Sequence, residues 1–116
     1  MRGISTSVHS ALEVIAAPAI MVAPFLFGFG PAATVLAVLF GVFLLGLALQ
    51  LESPGRTMPL RAHAGFDYLL AFAAAVGGLA VGVIADEWNA AIFLAGIGAA
   101  MVVLTASTRF SVARSA

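Results

Sequence analysis

Four stretches of this chain are apolar at nearly every position, approximately 11–29, 33–51, 66–85 and 90–108. Each is close to the roughly 20 residues that an α-helix needs to cross the hydrocarbon core of a bilayer. The breaks between them, "GFGP", "ESPGRTMPLRAHAG" and "DEWN", carry turn chemistry. Pro31 follows Gly30, Pro54 precedes Gly55, and Asp86 to Asn89 offer side chains that satisfy local backbone groups. The pattern predicts an all-α membrane protein, one transmembrane domain over 1–116 with four spanning helices and three connections. The opening segment has one positive residue ahead of an apolar run, the outline of a signal peptide. Because a further apolar span follows it, the segment is expected to be a retained first helix, bent by Pro18 and Pro24.

Composition agrees with the pattern. The 116 residues are 63% hydrophobic and 9% charged, with a mean hydropathy of +1.16, where a soluble domain carries about 25% charged residues. Net charge is zero and lysine is absent, so no basic face exists to neutralise a nucleic-acid backbone, and nucleic acid is excluded as a partner. The absence of cysteine removes disulfides, thiolate metal sites, iron–sulfur clusters and covalently attached haem. The five arginines, Arg2, Arg56, Arg61, Arg109 and Arg114, fall on one side of the four-span map, and Asp86 and Glu87 on the other. Arginine-rich short loops stay cytoplasmic. Both termini and the central loop are therefore expected inside, with the chain in the cytoplasmic (inner) membrane. Phe25, Phe27, Phe29 and Trp88 at one boundary, and Phe66, Tyr68 and Phe110 at the other, fit interfacial belts.

The chain also reads as a duplication. Aligning "HSALEVIAAPAIMVAPFLFGF" with "HAGFDYLLAFAAAVGGLAVGV" pairs His9 with His63, Glu13 with Asp67, Pro24 with Gly78 and Gly28 with Gly82. After a three-residue gap, "AATVLAVLFG" lies against "NAAIFLAGIG", pairing Ala33 with Ala90 and Gly41 with Gly98. This places two tandem helical hairpins at 9–51 and 63–108, joined by a cytoplasmic linker at 52–62. Both start on the same side, so they are parallel repeats about an axis near the membrane normal.

An acid near the start of a first helix, a proline near its end and an Asn-led second helix, as in "WNAAIFLAGI", resemble the SPW-repeat family of small bacterial and archaeal membrane proteins. Where that family has Ser-Pro-Trp, this chain has Ala23, Pro24, Phe25 in one copy and Gly77, Gly78, Leu79 in the other. The resemblance implies an architecture and brings no general activity with it.

Candidate chemistry is confined to His9 with Glu13 and His63 with Asp67, each pair four apart and so on one helix face. One reading brings both imidazoles and both carboxylates onto a divalent metal. A second makes His9 and His63 the axial ligands of a non-covalent b-type haem. A third is structural and needs no cofactor. It puts the acids in the first turns of their helices, where the helix dipole favours them by about 0.3–1 kcal/mol, with Ser5 and Ser10 as caps and the histidines at headgroup level. Glu13 is the one candidate for an ionisable group at depth, and it is expected to be shallow.

Small residues recur every fourth position at Ala33, Ala37, Gly41; at Ala74, Gly78, Gly82; and at Ala91, Ala95, Ala99. These stripes are expected to bring helices together, within one chain or between chains. Thr34 and Thr105 are lone hydroxyls expected to bond within their own helices. No nucleophile stands beside a base and no phosphate-binding loop is present, so an enzyme is not expected. The leading expectation is an accessory or structural subunit in the bilayer, packing against itself as a homo-oligomer or against a larger membrane complex. The alternatives are a haem- or metal-binding module and an oligomeric channel or small-solute transporter.

Overall fold

The structure is a computed structural model that describes residues 3–52 and 58–110. The expectations for Arg2, Pro54, Gly55, Arg56 and Arg114 fall outside the described residues. Four helices follow one another: α1 (Thr6–Phe27), α2 (Pro31–Glu52), α3 (Leu60–Ala85) and α4 (Trp88–Ala106). All four are long and apolar enough to cross a membrane. Their 19–26 residues at 1.5 Å per residue match a hydrocarbon core about 30 Å thick. Ile15, Phe25, Phe43, Phe72 and Ile84 point outward, which is favourable only where the surroundings are themselves apolar.

Local chemistry explains four of the helix ends. Ser5 caps α1, its Oγ accepting from the Val8 N–H at 3.2 Å. Gly28 ends α1 at φ 69°, a left-handed conformation suited to glycine. α2 opens on Pro31, whose missing N–H costs nothing at a first helical position. Just ahead of it the Gly30 N–H donates to Glu87 Oε1 at 2.6 Å, tying the two turns at this end together. Asp86 ends α3 at φ 56°, which aspartate tolerates better than most residues.

Two helices begin earlier than the apolar runs suggest, at Thr6 instead of about 11 and at Leu60 instead of about 66, so residues 60–62 of the expected linker belong to α3. Polar residues such as Thr6, Ser7 and Arg61 extend a helix once it is nucleated, although they interrupt a hydropathy pattern.

α1 packs along α2 and α3 along α4, giving two helical hairpins; α2 also meets α3, whereas α1 and α4 scarcely touch. The last pair is separated by an apolar groove of about 360 Å³, lined by residues including Ala16, Ile20, Phe93, Ile97 and Met101. Within each hairpin one glycine permits the close approach. A Cβ on Gly41 would meet the Ala17 carbonyl oxygen at 2.9 Å and the Met21 side chain, and one on Gly98 would meet the Ala71 carbonyl oxygen at 2.7 Å. Gly78 and Gly82 likewise lie against Ala91 and the Trp88 ring.

The α4 stripe lies only in part on the contact within the chain. Ala91 is buried, but Ala95 and Ala99 are exposed, and the face turned inward is Ala91, Leu94, Gly98, Met101, Thr105. Each four-residue step advances about 400° around a helix of 3.6 residues per turn, and on α4 that drift carries the stripe off the contact, whereas Ala33, Ala37, Gly41 and Ala74, Gly78, Gly82 stay on theirs. Alternating steps of three and four stay on the α4 contact. Ala33, Ala37, Ala74 and Gly41 are all buried.

Residues flanking the bundle meet at one end. Ile4 pairs with Thr108 as an isolated bridge, through Ile4 N–H to Ser107 O at 2.9 Å and Arg109 N–H to Ile4 O at 2.8 Å. Arg61 and Arg109 lie at this end, and Asp86 and Glu87 at the opposite one.

Candidate metal centre

His9 is the fourth residue of α1 and Glu13 the eighth; His63 and Asp67 hold the same places in α3. The acids therefore lie beyond the first turn, and neither helix has an acidic residue there. This corrects the dipole account, whose influence fades within one turn. The headgroup account is corrected as well, since His9 and Asp67 are 0% exposed and Glu13 and His63 1%. Ser5 does cap α1, while Ser10 lies inside that helix and donates to Ser7 O at 3.3 Å.

All four side chains converge. His9 Nε2 is 2.9 Å from Glu13 Oε2 and 2.7 Å from Asp67 Oδ2. His63 Nε2 is 3.4 Å from Glu13 Oε1 and 3.1 Å from Asp67 Oδ2. One atom from each residue can be chosen so that all four lie within 4.8 Å of one another. Each Nε2 has room for one proton or one lone-pair partner, yet two carboxylates press on it. The contacts leave both oxygens of Glu13, Asp67 Oδ1 and both ring nitrogens of His63 without a hydrogen bond among the described residues. Buried polar atoms in this condition are costly unless another group satisfies them.

The separations suit such a group. Ligand atoms about 2.1 Å from a tetrahedral ion stand roughly 3.4 Å apart; the distances from the Nε2 atoms to the carboxylate oxygens run from 2.7 to 3.4 Å, so an ion would be admitted by a small outward shift of the side chains. The imidazole rings are 5.6 Å apart and inclined at 76°. The carboxylates lie against both Nε2 atoms, in the space a porphyrin between His9 and His63 would need.

Two further residues lie against the site: Thr108, which the sequence did not single out, and Phe110, expected only at an interfacial belt. Thr108 Oγ1 lies 2.9 Å from His9 Nδ1 and donates to Leu104 O at 2.6 Å. Phe110 closes over the site, its ring 5.0 Å from that of His9 and 5.9 Å from that of His63. Thr105, expected to bond within its helix, has a buried hydroxyl with no partner among the described residues. A polar residue at the very end of an apolar run was the only available signal for Thr108. The other hydroxyl considered, Thr34, donates to Phe29 O at 3.2 Å, two residues ahead of α2 and so outside its own helix. The helix-packing glycines and alanines take no part in the site.

No family model, curated protein or solved structure matches the chain.

Proposed function

We propose that this polytopic membrane protein binds one divalent transition-metal ion through His9, Glu13, His63 and Asp67. The observation that carries the proposal is the convergence of two imidazoles and two carboxylates, all buried, inside a bundle whose other buried polar side chains, among the described residues, are the hydroxyls of Ser10, Thr105 and Thr108. Charge is compatible with a divalent ion. With both imidazoles neutral the two carboxylates carry two negative charges, which a divalent cation would cancel in a medium where net charge is expensive. Mixed nitrogen and oxygen ligands without thiolate favour Zn²⁺, Mn²⁺ or Fe²⁺ over Cu⁺, and histidine argues against Ca²⁺ or Mg²⁺. The same geometry favours an ion over b-type haem, because the carboxylates fill the gap between the imidazoles.

The test is metal analysis of protein purified in mild detergent. Wild type is expected to hold close to one ion per chain and a His9→Ala, His63→Ala double variant none, with no Soret band in either. Stoichiometric haem, or equal metal in both proteins, would overturn the reading.

The expectation of an accessory subunit persists as a second reading, favoured by one observation. Ala95, Gly96, Ala99 and Ala100 form an exposed small-residue face on α4, suited to close approach by another helix in the bilayer. A channel is less favoured, because the interior beyond the quartet is filled by residues such as Ala17, Ile20, Leu44 and Leu94.

The duplication is part of the proposal. It is supported by the shared helix positions of the two His/acid pairs, and by the contacts Gly41 with Ala17 O and Gly98 with Ala71 O, which pair residues matched in the alignment. The likeness to SPW-repeat proteins would account for such an architecture. We assign the arginine end to the cytoplasm and the chain to the cytoplasmic membrane on the arginine distribution.

A further inference from the structure

Outside the four ligands, one side chain touches a ligand's far nitrogen. A hydroxyl has a single proton, and that of Thr108 is committed to the Leu104 carbonyl, which can only accept. The contact between Thr108 Oγ1 and His9 Nδ1 must therefore run the other way, with Nδ1–H donating to the oxygen. A ring held by its Nδ1–H presents Nε2 to Glu13 and Asp67. Turning it over would place a ring carbon against the hydroxyl.

We propose that Thr108 is the positioning residue of the metal centre, holding the His9 ring so that Nε2 faces the ion; the inference rests on the metal reading above. Thr108 lies beyond the end of α4 and is 0% exposed. It is held from outside the bundle by the backbone pairing of Ile4 with Ser107 and Arg109, and by Arg109 Nη1 donating to Gly3 O at 3.1 Å. The segments on either side of the helical bundle thus place the second layer of the site.

The support is one-sided. His63 Nδ1 has no hydrogen bond among the described residues. At the interval that relates Gly41 to Gly98, the position matching Thr108 is Leu51, an apolar residue in the core. The two imidazoles are therefore inequivalent, although the helices presenting them are in register.

The experiment compares wild type with Thr108→Val, Thr108→Ser and Thr105→Val in detergent, using Zn²⁺ as the probe and ¹⁵N-histidine NMR as the second measurement. Losing an outer-shell partner of a metal-bound histidine typically weakens binding 10–100-fold, and that loss is expected for Thr108→Val. Thr108→Ser restores affinity, and Thr105→Val, which removes a hydroxyl with no partner among the described residues, leaves it unchanged. In the spectra a hydrogen-bonded proton on His9 Nδ1 is present in wild type and the serine variant and lost in the valine variant. Equal Zn²⁺ affinity of the wild type and Thr108→Val overturns the proposal, as does a serine variant as weak as the valine one. If the wild type takes up no ion, the metal reading fails on its own. The Nδ1 proton then decides for Thr108, its absence from wild type overturning the inference.

Discussion

Replacing Asp67 by asparagine tests the metal centre most directly, because one oxygen of this residue serves both histidines. Asp67 Oδ2 lies 2.7 Å from His9 Nε2 and 3.1 Å from His63 Nε2. The amide keeps the shape and volume of the carboxylate but removes its charge and much of its strength as a ligand. Structural zinc sites bind with about 10–16 kcal/mol of apparent free energy. Shared among four ligands, that is roughly 2.5–4 kcal/mol each, or about 10²–10³-fold in affinity at 1.4 kcal/mol per tenfold. The upper part of the range is expected, because a divalent ion with one remaining carboxylate leaves a net charge in a bundle end where all four side chains are at most 1% exposed. A competition titration against a chromophoric chelator in detergent measures the change. Asp86→Asn serves as the control, since Asp86 closes α3 at the opposite end of the bundle and asparagine also accepts a left-handed backbone. Should Asp67→Asn bind Zn²⁺ as tightly as the Asp86→Asn control, the assignment of ligands is refuted.

Metal binding is expected to weaken as pH falls from about 8 to about 5, because protons compete with the ion for the imidazole nitrogens and carboxylates; a pH-independent Kd measured by the same titration would contradict the ligand set. Gly98→Ala places a Cβ 2.7 Å from the Ala71 carbonyl oxygen and is expected to destabilise the α3–α4 hairpin by about 1–3 kcal/mol. Gly96→Ala, with nothing within 4 Å of the added carbon, leaves thermal unfolding in detergent unchanged or slightly raised. Because the chain has no cysteine, single cysteines at the exposed positions Arg61 and Asn89 report sidedness cleanly. A membrane-impermeant maleimide applied to intact cells is expected to label Asn89→Cys and spare Arg61→Cys, and labelling of both from outside would reject the proposed orientation.

The four helices are legible in the sequence because lipid demands apolar residues on every face, and a run of that length is out of place in a chain surrounded by water. Their beginnings are less legible, since Thr6, Ser7 and Arg61 break a hydropathy pattern without breaking a helix. The His/acid pairs are visible as spacing, four apart in each pair, but their meaning depends on tertiary structure. Spacing shows that His9 and Glu13 share a face of α1; it cannot show that this face meets the corresponding face of α3. That meeting turns two pairs, each of which could sit harmlessly at an interface, into one buried quartet. Thr108 was harder still to find, because its role depends on Ile4, about a hundred residues away along the chain and adjacent in space. The stripe through Ala95 and Ala99 does not mark the face turned inward within the chain, and in an alanine-rich helix composition alone produces small residues at every fourth position.

The quartet also accounts for how two hairpins become one bundle. Neither hairpin carries more than two of the four ligands, so neither can form the site alone. Within each hairpin a glycine brings the helices to backbone contact, whereas between hairpins the contact is lighter and α1 stands apart from α4 across an apolar groove. In a bilayer such a groove supplies little force for closure, because lipid tails fill it about as well as side chains do. Polar attraction across the interface has no such competitor. The contacts of His9 with Asp67 and of His63 with Glu13 join α1 to α3, and so one hairpin to the other, at the end where Thr108 and Phe110 close over them. On the metal reading, an ion held there completes its coordination only when both hairpins are docked, so the free energy of binding is also the free energy of assembling the bundle.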